Sequence, residues 1–495
     1  MNVHSKELSE APISLRERLL GLFISLSLVY SAWSFGGYEN YSLHIFFVLS
    51  LLSFSCLFIP SSRVNASQVP SLGANRFIRL IKHPFFWFSF CFLLYILIQL
   101  LNPSVKQVWG ESTWWVEAMP APLGKNFPSS VQANYDEMNA LRALIIHASA
   151  LLLAVGIFVG IQRRSVALLA LWLFMISATI MGFVAILQEV SGTKKILWFL
   201  ESTNINFWGT FVYRNQGAAF LMLNIIVSGV LYFFYSMRAS KALKRGGPHF
   251  ICFLFLFLSY GSIWLSLSRG GMILASILVL SFIALFFPYS LKNATKIKLF
   301  IKCILSFFIL IIVSVFALQF TNFKALESRF DDLSEIRSNF DTYSRVLSTK
   351  ATLEMAEDRL KYGWGAGSFR YIFPIYQRNY EPIWYKYYHK KKGWMGRYYY
   401  RYAHNDWAQF LAEYGIYGCV PLGMLFLYLM VQSILRVRLN FFSTLFLLTG
   451  LLLIFLHNGF DFIFSAPSYW VAFWGIMALM IRLMQLESKS LVHPS

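Results

Sequence analysis

Runs of about 20 consecutive apolar residues recur along the chain, and each is long enough to cross a bilayer core about 30 Å thick as a helix. They fall roughly at 19–35, 41–59, 84–101, 142–161, 165–187, 216–236, 250–267, 271–288, 299–320, 411–435, 439–458 and 465–484 of 495 residues. Leu, Phe and Ile fill them without the period-two alternation of a barrel strand, so helices are expected. Only 13% of the residues are charged and 57% are hydrophobic. That is too little charge to cover a soluble protein of this length, and too much apolar content for disorder. The expected fold class is an all-α polytopic membrane protein of about 12 transmembrane helices with one long, partly helical loop. Helices one to nine take 1–320, the loop 321–410 and the last three helices 411–495. The first run follows Arg16 and Arg18 without a small-residue cleavage site, so an uncleaved anchor is expected.

The net charge of +20 would suit nucleic acid in a soluble chain. Here its distribution gives another reading. With both termini in the cytoplasm, the inner segments hold 21 of the 43 Lys and Arg, and the outer segments before 321 hold seven. The remaining fifteen lie in the long outer loop, and long loops escape the positive-inside rule. No nucleic-acid partner is expected. All five cysteines fall in apolar runs, where they read as packing residues, and no Cys/His spacing forms a zinc site.

Ionisable residues near the spans gather at their outer ends: His44, Arg142, His147, Glu189, Arg214, Arg269, His404, Asp406, Glu413, His457 and Asp461. A coupled transporter would place such groups near the midplane instead. Arg269 sits in a short outer turn, Ser268-Arg269-Gly270-Gly271, where the glycines allow close backbone approach. Arg214 begins the sixth span beside Asn215 and Gln216. Two guanidiniums at one depth suit a pyrophosphate at the lipid surface; the plain alternative for each is an interfacial anchor.

In the long loop, Val346, Leu353, Ala356 and Leu360 share one helical stripe that ends at Gly363. The following Gly363-Trp364-Gly365-Ala366-Gly367 lacks the strand context of a dinucleotide site and reads as a flexible bend. Residues 370–402 carry eight basic residues, one acid and ten tyrosines. That mixture suits an anionic glycan, or equally a loop lying on lipid headgroups. His404 then stands where the loop re-enters the membrane, with Asn405 and Asp406 adjacent and Glu413 further along the helix. Imidazole is the side chain that changes charge nearest neutral pH, which fits a general base. Asn405, Asp406 or Glu413 would orient it or bind an acceptor, although sequence neighbours face different ways on a helix and the orienting acid can come from elsewhere.

The pieces 209–215, Ser268-Arg269-Gly270-Gly271, Arg345 opening a helix that runs to Gly363, and Ala403-His404-Asn405-Asp406 through Glu413-Tyr414-Gly415 occur in this order. Together they resemble the O-antigen ligase and O-antigen polymerase-like membrane proteins of bacteria, across roughly 205–465. Tyr213 and Gln216 depart from the pattern in which many relatives carry Asn before the Arg and His after the second Asn. The resemblance implies a metal-independent, cofactor-free, inverting glycosyltransferase of the bacterial inner membrane with its active face in the periplasm. Its donor would be an undecaprenyl-pyrophosphate-linked glycan and its acceptor the lipid A core or a growing glycan, with membrane lipid around both. His404 would be the catalytic base, and Arg214, Arg269 and Arg345 would bind the donor pyrophosphate. O-antigen ligation leads; polymerisation, protein O-glycosylation and, in a different class, lipid-linked glycan flipping or transport are the alternatives.

The orientation is open to a direct check. A single cysteine at Lys391 in an otherwise Cys-free variant should react with an impermeant thiol reagent in intact spheroplasts. Labelling only after lysis would reverse the topology.

Overall fold

The computed structural model describes residues 13–60, 74–111, 113–241, 247–293, 343–389, 393–437 and 440–492. The helices in the first half are α1 (Leu15–Ser31), α2 (Asn40–Ser55), α3 (Ala74–Ile81), α4 (Pro84–Leu101), α5 (Ala140–Gly160) and α6 (Arg164–Val190). Then come α7 (Arg214–Lys241), α8 (His249–Leu265) and α9 (Arg269–Asn293). Outside the bundle lie α10 (Ser344–Asp358), α11 (Phe369–Gln377) and α12 (Glu381–Trp384). The last three are α13 (Asp406–Ile434), α14 (Phe441–Asn458) and α15 (Pro467–Val492). Among the described residues nine helices are long and apolar enough to cross a membrane, and α8 is a shorter apolar helix. The protein is an all-α polytopic membrane protein. The run expected at 299–320, the loop start at 321–342 and Cys303 lie outside the described residues.

Helix starts follow capping chemistry. Asn139 accepts from Arg142 N at 2.9 Å to open α5, and Asn405 accepts from Ala408 N at 3.1 Å to open α13. The latter cap starts α13 at Asp406 rather than near 411. Helix α7 is central, packed by α6, α8, α9 and α14. Its contact with α14 is close because small residues face the partner. A Cβ at Gly229 would lie 2.1 Å from Phe446, and one at Gly450 would lie 2.6 Å from Ile226. Asn224 donates to Thr179 Oγ1 at 2.9 Å and to Ser259 Oγ at 2.8 Å, tying α6, α7 and α8 with neutral groups. Helices α4 and α13 turn Trp87, Phe90, Leu94 and Leu97, and Ile416, Val420, Leu427 and Val431, outward as lipid-facing stripes. Arg164 and Arg238 both pair with Glu487, at 2.9 and 2.7 Å, at the end of the bundle away from Arg214 and His404.

Three expectations are corrected on the lobe side. First, the long loop expected at 321–410 is not the one substantial region outside the bundle. Residues 102–139 fold into strands β1 (Pro103–Trp109), β2 (Trp114–Ala118) and β3 (Ser130–Gln132), ordered β2-β1-β3. Strands β1 and β2 pair antiparallel with Val105 opposite Ala118; β1 and β3 pair parallel with Val105 opposite Val131. Val105, Val131 and Trp114 pack with Leu347, Phe369, Tyr371 and Phe373 in a core separate from that of the bundle. Second, the buried stripe of α10 is Leu347, Ala351 and Met355 with Ser348, Thr352 and Ala356, while Leu353 and Leu360 are exposed. Ser348 and Thr352 can face inward because Ser348 Oγ donates to Ala403 O and Thr352 Oγ1 to Ser348 O. Third, the 370–402 aromatics are not all surface groups: Tyr371, Phe373 and Tyr376 are buried, while Tyr387, Tyr398 and Tyr399 are exposed. Tyr371 is 1% exposed.

The glycine segment is also no flexible bend. Gly363 (φ +68°) and Gly415 (φ +60°), the latter inside α13, lie backbone against backbone; a Cβ at Gly363 would sit 2.3 Å from Glu413 O. Trp364 N donates to Ala412 O and Gly365 N to Glu413 O, at 2.8 and 2.9 Å. The break in α13 leaves carbonyls that α4 satisfies: Tyr95 Oη donates to Tyr414 O and Tyr362 O, and Gln99 Nε2 to Glu413 O. Backbone of the lobe is thus inlaid in a membrane helix. Gly363→Ala should therefore lower the Tm of the purified protein, because the strained φ alone costs about 1–3 kcal/mol. An unchanged Tm would show that the contact can open without loss.

Candidate active site

The chain places arginine at the first turn of three helices. Arg214 opens α7, Arg269 opens α9 and Arg345 is the second residue of α10. His404 stands two residues before α13. These four side chains, with Asn405, Tyr213, Asn215 and Lys350, line one cavity of about 640 Å³. Its described lining holds four cations and no carboxylate. Four helix N-termini also meet there, each carrying roughly half a positive charge. Arginine at a helix N-terminus opposes the macrodipole, at about 0.3–1 kcal/mol each. An anion in the cavity would relieve both costs. Leu267, Ile273, Leu274 and Val346 make part of the same wall, so the cavity runs from cationic to apolar.

The local folds are tight. Arg214 N donates to Asn206 O at 2.8 Å, closing the turn before α7. Beside Arg269, a Cβ on Gly270 would meet Phe460 at 2.8 Å and one on Gly271 would meet Ala218 at 2.7 Å. The glycines are there for approach to α14 and α7. His404 is in the left-handed region at φ +57°. It is held there from both sides. The Ala403 backbone is pinned by Gln409 Oε1 and Ser348 Oγ, and Asn405 is committed to capping α13. A strained backbone fixed in this way is characteristic of functional positions.

Asp461, in the turn between α14 and α15, joins these parts. It is 1% exposed and accepts from Asn215 Nδ2 at 2.5 Å. Arg345 Nη1 lies 3.5 Å away and donates to Phe460 O at 2.8 Å. Asn215 Oδ1 in turn accepts from Ser268 Oγ at 2.8 Å. His404 Nδ1 is 3.8 Å from Asp461 Oδ1, which leaves Nε2 on the opposite edge of the ring. Burial works against the Asp461 carboxylate, but Arg345, then His404 and His457, outweigh it and hold its pKa well below the ordinary range. Burial likewise disfavours the Arg345 cation, yet Asp461, Tyr213 and Tyr343 raise its pKa overall. The stability from the Asp461 pairing is present at neutral pH and is lost as the pH falls into the acid range.

His404 and Tyr213 also line a second cavity, of about 930 Å³. Phe462 stacks between Tyr213 (4.8 Å) and Tyr402 (4.9 Å), and His404 meets Phe462 edge-on at 4.6 Å. The second cavity is walled by Tyr398, Tyr399, Tyr400 and Tyr402, with Arg142 and Arg370. Burial pushes the Tyr399 and Tyr400 phenols up to about 12, so they are neutral O–H groups at any working pH. Arg142 donates to Asn40 Oδ1, Tyr38 O, Tyr135 O and Asp136 O.

Of the residues singled out from sequence, Arg214, Arg269, Arg345, His404 and Asn405 come together. Asp406 and Glu413 line neither cavity. Asp406 accepts from Phe464 N at 2.8 Å, and Glu413 accepts from Phe369 N and Gln409 Nε2 at 3.2 Å. The carboxylate nearest the imidazole is Asp461, which the sequence marked only as an ionisable residue at a span end. Phe462 and Lys350 carried no signal at all. Among the described residues, no cluster of His, Cys, Asp and Glu is built to hold a metal ion.

Helices that cross a membrane and a cationic cavity at their ends define the class. Residues 253–423 match the family model described as O-antigen ligase, and the chain carries the O-antigen ligase-like region there. That region includes Arg269, Arg345 and His404, while Arg214 and Asp461 flank it. No curated protein matches the chain.

Asp461→Asn keeps the size but leaves Arg345 without its counter-charge. The variant should insert in the membrane yet lose about 1–3 kcal/mol of stability, read as a lower Tm at neutral pH. The gap from wild type should narrow in acid. A constant gap across pH would remove the ionic role.

Proposed function

We propose that the chain is a glycosyltransferase acting at the periplasmic face of the bacterial inner membrane. It moves a glycan from undecaprenyl pyrophosphate to an acceptor hydroxyl, and the acceptor is the lipid A core. The observation that carries this reading is the lining of the 640 Å³ cavity: four cations, no carboxylate among the described residues, and an apolar end. Those are the needs of a pyrophosphate joined to a lipid chain. The 930 Å³ cavity, rich in phenols, suits the acceptor sugar, and His404 forms part of both walls.

The chemistry follows from that placement. The acceptor hydroxyl oxygen attacks the anomeric carbon as His404 Nε2 takes its proton. The bond from that carbon to the pyrophosphate oxygen breaks, and the electron pair leaves with the pyrophosphate. Arg214, Arg269 and Arg345 stabilise the charge that develops there. A single displacement inverts the anomeric centre. Asp461 stabilises the imidazolium that forms and fixes which ring nitrogen faces the acceptor. A flippase fits less well, because the groups tying α6, α7 and α8 inside the bundle are neutral.

Purified protein in nanodiscs with lipid-linked donor and lipid A core tests the proposal. His404→Gln keeps hydrogen bonding but loses the base, and should lower turnover about 10²–10⁴-fold with donor affinity little changed. Arg214→Lys and Arg269→Lys should weaken donor binding and transfer, since a point charge does not replace a planar fork. Near-normal transfer by His404→Gln would remove the base mechanism. Extension of donor glycans without added lipid A core would make the chain a polymerase.

A further inference from the structure

A third cavity, also about 640 Å³, lies between the 118–129 segment and residues 357–363, and neither His404 nor the three arginines of the candidate site line it. Two sets of bonds set its depth. Asn102, the residue after α4, donates through Nδ2 to Gly124 O, Phe127 O and Pro128 O and accepts from Leu123 N. One wall is therefore fastened to the end of a lipid-facing helix. Ile416 N and Tyr417 N donate to Leu360 O and Lys361 O at 2.8 and 3.1 Å, which fastens the other wall to the outward stripe of α13. From Tyr417 to Ile434 that helix rises about 26 Å, close to the thickness of the hydrocarbon core. The cavity thus sits where headgroups begin.

Its surroundings fit that depth. Leu101, Leu123, Phe127, Leu360, Ile416 and Tyr417 are exposed around it, and Tyr417 meets Tyr362 edge-on at 5.4 Å. Apolar side chains with tyrosine at this level form an interfacial belt. The interior is cationic. Arg359 stacks on Trp364 at 4.1 Å and donates to Ser104 Oγ and Ser129 Oγ at 3.3 and 3.0 Å. All these partners are neutral. Lys125 and Lys361 stand at the walls, and among the described residues neither they nor Arg359 lies in an ion pair. Two acids share the lining: Asp358 is engaged with Tyr376 Oη at 2.5 Å, and Glu357 is exposed.

We infer that this cavity binds the phosphate of a membrane phospholipid headgroup, with Arg359 as the fixed cation and Lys125 and Lys361 flanking it. The acyl chains then lie along Leu101 and the stripe of α13, and the headgroup pins the β-sheet half of the lobe to the membrane surface. This site is separate from the transfer reaction proposed above and stands or falls without it.

The test uses the full chain with a photoreactive benzoylphenylalanine at Phe127, illuminated in phosphatidylglycerol and phosphatidylethanolamine vesicles and analysed by mass spectrometry. A phospholipid adduct is expected. Lys125→Glu with Lys361→Glu, at two residues that are exposed and lie in no ion pair among the described residues, should cut the adduct by about tenfold or more without lowering Tm. An undiminished adduct in the double variant, or no lipid adduct in the parent, would overturn the inference. Loss of the adduct on adding excess inorganic phosphate would do the same, because the site would then take a free anion.

Discussion

The buried carboxylate of Asp461 is the point on which the candidate site depends. It touches Asn215 from α7 and Arg345 from α10 and faces His404 at the mouth of α13, and Asn215 passes the contact on to Ser268 before α9. Elements far apart in sequence are brought to one place by one charge. Burying a lone carboxylate is costly, so each of these partners is needed for the others to be tolerated. The result is a polar frame around the cationic cavity, in which one imidazole nitrogen is turned toward the carboxylate at 3.8 Å and the opposite edge of the ring is left over.

A second kind of tie comes from backbone. The contact of Gly363 with Gly415 binds the lobe to α13 without side chains, and Gln99 and Tyr95 of α4 close the carbonyls that the break exposes. Unsatisfied backbone groups at membrane depth are tolerated only when protein satisfies them. The break in α13 and the glycine segment of the lobe are therefore one structural device. It lies within α13, on the far side of the Asn405 cap from His404.

Much of this was legible in the sequence, and the reasons for the rest are physical. The apolar runs mark the helices because a bilayer demands length and hydropathy that a linear reading can see. Arg214, Arg269 and His404 stood out because charge at a span end is expensive, whereas Arg345, in the long loop, was marked only by the family resemblance. Asp461 met the same criterion yet received no role, since its partners lie up to 246 residues away and only packing joins them. The stripe of α10 was misplaced because Ser348 and Thr352 satisfy their hydroxyls internally and so pass for surface. The β-strands of 102–139 are short, and their alternation is weak beside the long apolar runs around them.

The cavity that gathers four cations and four helix ends has a consequence for the close of each reaction cycle. On the transfer reading, the donor arrives with its pyrophosphate esterified at both ends. It departs with one phosphate free and therefore more negative. The grip that draws the substrate in holds the spent carrier harder, so each cycle has to free the lipid from the site that activated it. The apolar wall of Leu267, Ile273 and Leu274 is then an exit as much as an entrance.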